Sequence, residues 1–522
     1  MSEPLALRVD GRPVAADPGI TVAAALENAG LRALRRSVSG QPRGVLCAMG
    51  ICFECRVTID GEPHRRACME TVREGMEIHT GEQAVSRQLS AVSLEREALV
   101  CDVAVVGGGP AGIAAACRAA ECEARTVLLD DGAEPGGQIH RHLSGREAPP
   151  AARAWLARLG RSGARLLRRA AVYDAARESD AWRVWARTPE GRIEVRARSI
   201  VLATGARELF LPFPGWTLPG VLGAGGAQAL WKSGASMRGR TAVVAGSGPL
   251  LLPVAASLAK AGARVAVVAE QAGLPALSAF SAGLLRSPRK LLEAARYRRG
   301  FAAARYRTGS WVAEARGRDR VESVIVADRR GRRVEIPCDL AAVAYGLVPN
   351  TELARVLGCE VDSGRVAVGA RQETSVPGVF CAGEPCGVAG IDAAIAEGQL
   401  AGLAAAGRRA EDFWDSRSLL RARGQSRRFA ASLAGAFRLR PELSRLAGPD
   451  TLVCRCEDVS RGRVEACASA REAKLATRSG MGACQGRVCG PGLEFLFGWD
   501  SDTVRSPIQP ADVEDLAPEE EA

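Results

Sequence analysis

Four cysteines near the N-terminus, Cys47, Cys52, Cys55 and Cys68, sit in and just after the run PRGVLCAMGICFECRVTIDG with the spacing C-x4-C-x2-C-x12-C. Three thiolates on one tight loop with a remote fourth is plant-type [2Fe–2S] spacing. Gly44, Ala48 and Gly50 keep the loop small, so backbone amides can approach the sulfurs and tune a reduction potential. Zinc competes, although zinc ribbons favour paired C-x2-C knuckles. A second set, Cys454, Cys456, Cys484 and Cys489, lies in LVCRCEDVS and GMGACQGRVCG with the pattern C-x-C-x27-C-x4-C. Two tight pairs set among glycines again suit a cluster, with zinc as the alternative.

Two glycine-rich turns add a different chemistry. In CDVAVVGGGPAGIAAACRAA an apolar stretch runs into Gly107, Gly109, Pro110, Ala111 and Gly112, a GxGxxG at a strand-to-helix turn. The first glycine makes the turn, the second lets a pyrophosphate approach, and the third lets the helix pack closely. Asp130, followed by Asp131, ends the next apolar stretch at the distance expected of a ribose-binding acid. EPGGQIHR follows with Gly137 and Gln138. SIVLATGAREL carries Ala203, Thr204 and Gly205, and TSVPGVFCAGEP carries Gly383 and Glu384. The second turn, VVAGSGPLLLP, keeps Gly246 and Gly248 but has Leu251 at the third position, and Glu270 ends the following strand. Glu270 suits the ribose of NAD and disfavours the 2′-phosphate of NADP. A relic of duplication that binds nothing is weighted equally.

The elements that must carry these residues can be read outward from them. LALRVDGRPV and FECRVTIDGEPH alternate like strands, and TVAAALENAG reads as a short helix ended by Gly30. Residues 1–92 therefore read as a β-grasp-like, [2Fe–2S] ferredoxin-like α+β domain, and 93–100 as a linker. Residues 98–237 and 339–405 read as two parts of one doubly wound FAD-binding domain, and 238–338 as an NAD(P)-binding-like domain. Residues 406–447 form an Arg-rich helical connector, 448–500 a small helical module holding the last cysteines, and 501–522 an acidic tail whose end, ADVEDLAPEEEA at 511–522, is expected to be disordered.

Size and composition bound the rest. A chain of 522 residues suggests about three or four domains. The net charge of +11 comes with no basic stripe interleaved with aromatics, so nucleic acid is not an expected partner. No signal peptide and no apolar run of spanning length is read, which places the chain in a reducing cytoplasm, with the inner membrane face as a peripheral alternative. There, 16 cysteines are metal ligands or small buried residues rather than disulfides. Cys101, Cys117, Cys122, Cys338, Cys359, Cys381 and Cys386 are read as buried residues. His140 and His142 are read as surface or flavin-pocket residues, with His140 a candidate for approaching a flavin. No G-x-S-x-G, Walker loop or H-E-x-x-H supports a hydrolase.

The first glycine motif with its later companions resembles the FAD domain of the two-dinucleotide-fold flavoproteins, the superfamily of thioredoxin and ferredoxin reductases. The GMGxCQGRxC phrasing resembles the bacterioferritin-associated-ferredoxin-like [2Fe–2S] module. The order of modules over residues 5–500 resembles the larger, electron-transferring subunit of amino-acid or opine dehydrogenase complexes: hydrogen cyanide synthase, octopine/nopaline oxidase and D-hydroxyproline dehydrogenase. The head also resembles the alpha subunit of heterotetrameric sarcosine oxidase, without its folate-binding domain. The resemblance implies FAD, two [2Fe–2S] clusters and a glycine-oxidase-like flavoprotein beta subunit that oxidises a C–N bond, with room for FMN at the subunit interface. In the cyanide synthase family the first cluster sits on a separate small subunit, so here the two are expected to be fused. The downstream acceptor, whether quinone, cytochrome, ferredoxin, oxygen or NAD, stays open. Two other readings stand beside this one: a self-contained NAD(P)H-dependent ferredoxin or dye reductase, and a non-catalytic iron–sulfur scaffold or sensor.

Overall fold

The computed structural model describes residues 3–81, 98–284, 288–408, 415–500, 504–511 and 516. The N-terminal module is a mixed five-stranded sheet. Its order is Arg12–Ala16, Leu5–Val9, Glu77–His79, Arg56–Ile59 and Glu62–Arg66, with Leu5–Val9 parallel to Glu77–His79 at its centre. The helix Val22–Asn28 starts where the Thr21 hydroxyl accepts the Ala24 N–H, and all but its last residue are buried. This is the expected β-grasp arrangement. The first three cysteines sit on the loop entering Arg56–Ile59, and Cys68 follows Glu62–Arg66.

The second unit is built on the strands Arg165–Leu167, Thr126–Leu129, Leu99–Val106 and Gly191–Leu202, all mutually parallel, with Val379–Cys381 added beside the last. The strands Ala171–Glu178 and Ala181–Thr188 extend it as an antiparallel meander. Leu99–Val106 and Thr126–Leu129 are near-continuous buried apolar runs, as parallel strands covered on both faces require. The helices Pro110–Glu121 and Ile391–Ala405 pack against one another on one face. A side chain at Gly398 would collide with the Ala111 carbonyl, and one at Gly402 with the Ala115 carbonyl, so backbone meets backbone there.

The third unit is an all-parallel sheet in the order Val221–Gly223, Leu340–Ala344, Thr241–Gly246, Arg264–Glu270 and Arg305–Thr308. Two of its strands fall outside the expected 238–338: Val221–Gly223 lies in the 98–237 segment and Leu340–Ala344 in the 339–405 segment. Both are too short for periodicity to assign them to a sheet. The connector contains the helix Ser416–Ala436, which runs beside Ile391–Ala405 and Leu274–Leu284. The last module pairs Leu452–Cys454 with Val459–Ser460 and carries the helices Arg461–Glu465, Ala470–Thr477 and Cys489–Phe497.

The start of the tail packs on the meander. Ile508 is buried and its N–H donates to the Tyr173 carbonyl at 2.8 Å. The rest of the tail, except Leu516, lies outside the described residues. Among the described residues no helix is long and apolar enough to cross a membrane.

The glycine seam between Pro110–Glu121 and Ile391–Ala405 has a direct consequence. Gly398→Val should cost about 1–3 kcal/mol or more, because the added atoms meet backbone that has nowhere to go. A fall in the urea midpoint at unchanged slope is the expected result, and an unchanged midpoint would contradict the packing.

Candidate redox site

The glycine fingerprint at 107–112 has the geometry that each position demands. Gly107 has φ +108°, and a side chain there would strike the Ala203 carbonyl. A side chain at Gly112 would strike the Gly107 carbonyl, which brings the helix onto the strand. At Gly109 the nearest atom to an added Cβ is the Gly137 Cα at 4.0 Å, so space is kept where a pyrophosphate would lie, at a helix N-terminus. The Gly136 N–H donates to the Gly108 carbonyl at 2.8 Å, which brings the 137–138 segment onto the same turn. Asp130 is buried and accepts the Gly108 N–H at 3.1 Å; burial, and then its neighbour Asp131, push its carboxyl up to about 7. Asp131 itself is exposed. The Gly383 N–H donates to buried Glu397 at 3.0 Å, and a Cβ on Gly383 would lie 2.9 Å from that of Ala111. Burial raises Glu384 above the usual carboxylate range. Thr204 and Gly205 are tied to Asn350 through Thr204 Oγ1 to the Asn350 carbonyl at 2.7 Å and the Asn350 N–H to the Gly205 carbonyl at 3.0 Å. The predicted FAD residues thus form one cradle whose open space and acid fit an ADP-ribose moiety.

The first thiol set is buried on a loop that turns through Ala48 and Phe53 at positive φ. Met49 and Cys52 N–H groups donate to Cys47 Sγ, each at 3.4 Å, and the Gly50 N–H donates to Cys68 Sγ at 3.2 Å. Hydrogen bonding from the Cys52 thiol, with help from these amides, outweighs burial and draws Cys47 down to about 6. Burial drives Cys52 well up. In the second set the Cys489 thiol and the amides of Gly480, Glu457 and Cys456 draw Cys454 down to about 6, against burial. The thiols meet two by two: Cys47 with Cys52, Cys55 with Cys68, Cys454 with Cys489, and Cys456 with Cys484 at 3.5 Å. Among the described residues no group of three or more His, Cys, Asp or Glu is arranged to hold a single metal ion. Two thiols for each of two irons is the demand of a [2Fe–2S] centre, so both sets fit that group better than one zinc. Buried thiols with amide donors are also suited to losing their protons to a bound metal.

The other cysteines read as small buried residues are all buried. Spacing does not single out Cys467, which packs half-buried against the C-terminal core. His140 is buried, and burial followed by the nearby Lys232 holds it below the usual imidazole range. His142 contacts the His140 carbonyl at 2.9 Å.

Several residues at the site carry no spacing signal. Arg141 Nη1 donates to the Ala48 carbonyl at 2.9 Å, joining the flavin-side segment to the first thiol loop. Glu208 accepts the N–H groups of Gly225 at 2.7 Å and Gly226 at 3.0 Å, beside the point where that loop lies on the helix Ala224–Lys232; burial raises it to about 7. Glu54, between Cys52 and Cys55, is bound by Arg35 at 3.0 Å and by Arg455, between Cys454 and Cys456, at 3.2 Å. Charged residues inside the cysteine loops are the one hint of this that the sequence holds.

At the second glycine turn the fingerprint is half kept. A side chain on Gly246 would collide with the Ala344 carbonyl, and Leu251 is fully buried at the start of the helix Leu251–Lys260. Glu270 accepts the N–H groups of Gly248 at 2.9 Å and Ala272 at 2.7 Å. The connector lies against this turn: Ser247 Oγ donates to the Phe437 carbonyl at 2.9 Å, and Gln271 Nε2 to the Arg438 carbonyl at 3.2 Å.

Known proteins share these parts. Residues 101–398 match the pyridine nucleotide-disulphide oxidoreductase family model, and residues 2–83 match the 2Fe-2S iron-sulfur cluster binding domain. An opine oxidase subunit of Rhizobium meliloti is 33% identical over 467 residues, covering 80% of this chain and 98% of the relative. Hydrogen cyanide synthase subunit HcnB of Pseudomonas aeruginosa is 33% identical over 459 residues, covering 79% and 95%. The chain belongs to the family of these opine oxidase and HcnB proteins. It combines a FAD-type oxidoreductase domain with a [2Fe–2S] domain in front of it. Subunit HcnA of P. aeruginosa is 47% identical over 76 residues, 15% of this chain and 73% of the relative. This one chain thus has similarity to both HcnA and HcnB. The crystal structure of L-proline dehydrogenase from P. horikoshii has the same fold, with a TM-score of 0.70, 20% identity, and 99% and 98% coverage.

The cradle predicts a separation of roles. Gly109→Val should fold with a near-normal melting temperature yet lose at least tenfold in flavin content, read from the visible-to-ultraviolet absorbance ratio after purification. Gly112→Val should lower the melting temperature itself, since its side chain meets the Gly107 carbonyl. Equal flavin retention by Gly109→Val and the parent would overturn the placement of the pyrophosphate.

Proposed function

We propose that this chain is the electron-accepting FAD and iron–sulfur subunit of a multi-subunit dehydrogenase or oxidase acting at the C–N bond of an amino acid, imino acid or opine. The observation that carries the reading is the seam of contacts from the flavin cradle, through half-buried Arg141 and Ala48, to the first thiol loop, and through buried Glu54 and Arg455 to the second. In this reading Gly107, Gly109, Gly112, Asp130, Gly137, Thr204 and Gly383 hold FAD. Cys47, Cys52, Cys55 and Cys68 hold one [2Fe–2S] cluster, and Cys454, Cys456, Cys484 and Cys489 a second. A bound FAD converts two-electron hydride chemistry into single-electron steps, which suit one-electron clusters. The protein's own residues bind, bury and space these groups. Glycines admit the phosphates, amides of the 47–52 loop stabilise sulfur charge, and Arg141 fixes that loop to the flavin domain.

Substrate oxidation belongs to a partner, a glycine-oxidase-like flavoprotein subunit. The connector carbonyls at Ser247 and Gln271 face the second glycine turn where a dinucleotide's phosphates would come, and carbonyl oxygens repel phosphate. That favours the partner-fed subunit over a self-contained NAD(P)H reductase.

Two measurements test this. Millimolar NADH should leave the flavin unbleached in stopped flow, and the isolated chain should not oxidise opines, hydroxyproline or glycine until the partner flavoprotein is added; turnover by the chain alone would overturn the assignment. Cys52→Ser should keep the flavin, halve the iron content and abolish one of two paramagnetic resonance signals. Retention of both signals would show the ligand set to be wrong.

A further inference from the structure

The two thiol loops are joined by charges that neither cysteine spacing requires. Glu54 stands two residues after Cys52 and directly before Cys55, and Arg455 stands between Cys454 and Cys456. Their side chains are each 1% exposed and lie 3.2 Å apart. Arg35 closes on the other carboxylate oxygen at 3.0 Å, and Arg455 also donates to the Trp216 carbonyl at 2.7 Å. Alongside, Asp458, two residues past Cys456, takes Arg43 at 2.5 Å and the hydroxyl of Ser39. From the Cys55 peptide through Glu54 and Arg455 to the peptides of Cys454 and Cys456, the path contains a single non-bonded step.

Apolar side chains could join the two modules at no loss of stability, because a buried ion pair recovers little beyond its desolvation cost. Fixing a charge between two electron carriers does something that apolar packing cannot. We infer that the Glu54–Arg455 pair is the bridge between the two clusters, positioning them for direct exchange and setting both potentials. This rests on the reading of the second thiol set as a cluster. In the exchange one electron leaves the reduced centre and the other takes it up. No bond forms or breaks and no proton is required. The electrons come from the substrate-reduced flavin in the working complex, and from dithionite in the test.

The purified full-length chain, fully reduced with dithionite, should give a paramagnetic resonance spectrum that differs from the sum of the Cys52→Ser and Cys484→Ser spectra, through splitting or faster relaxation. Redox titration should then show opposite shifts. Glu54→Gln removes negative charge and should raise the ratio of reduced to oxidised cluster tenfold at fixed potential, about 59 mV for a one-electron couple. Arg455→Met should lower it comparably, and Arg455→Lys should stay near the parent, which a merely structural contact would not predict. If Glu54→Gln fails to fold, the wild-type spectrum still decides. Four irons per chain with additive spectra, or unmoved potentials in folded variants, overturns the bridge alone. Two irons per chain overturns the second cluster and the bridge with it.

Discussion

Glu54 is a carboxylate with almost no water around it, held from two sides by guanidinium groups of two different modules. Burial pushes its carboxyl up, but Arg455, then Arg35 and Arg43, pull further the other way, and it stays below the ordinary range. Removing one partner of such a group typically costs about 3–5 kcal/mol, because the remaining charge has no solvent to return to. The arrangement therefore ties together the placement of three things: the Cys52–Cys55 turn, the Cys454–Cys456 turn, and the Trp216 backbone that receives Arg455 and whose indole donates to the Leu452 carbonyl at 2.7 Å. The second thiol module cannot shift relative to the first without exposing an unpaired charge.

The third unit meets this charged seam through backbone. The thiol loop sits on the N-terminus of Ala224–Lys232, where Gly223 donates to the Leu46 carbonyl at 2.9 Å and a side chain on Gly226 would strike the carbonyls of Leu46 and Cys47. Gly225 and Gly226 also give their N–H groups to Glu208. Small residues here do for the module interface what Gly398 and Gly402 do inside the flavin domain. They remove the side-chain layer that would otherwise separate two backbones. Glycines at these contacts bring the first thiol loop directly onto the helix beneath it.

Much of this was legible along the chain because the signals are local. C-x4-C-x2-C, GxGxxG and the acid ending the next strand are short-range patterns whose geometry follows from one turn of backbone. Glu54, Arg455, Arg141 and Glu208 were not legible. Glu54 and Arg455 are 401 residues apart, and an ion pair across that separation leaves no periodicity in either segment. Val221–Gly223 escaped for a related reason: three residues carry no alternation, and its sheet is decided by its parallel partner Leu340–Ala344.

The second dinucleotide fold repeats the architecture of the first with part of its fingerprint changed. Gly246 still makes the turn against Ala344, and Glu270 still ends its strand, held by the backbone at Gly248 and Ala272 much as Asp130 is held at Gly108. Leu251, at the position where a third glycine would bring helix to strand, is itself completely buried, so the fold has accommodated its bulk in the core. The connector then covers the turn with the Phe437 and Arg438 carbonyls, and Phe280 packs its ring on Phe429 and Phe437 at 6.1 and 5.5 Å. The same connector leads on to the module that carries Cys454. The second glycine turn thus anchors the segment that carries the second thiol set to the first.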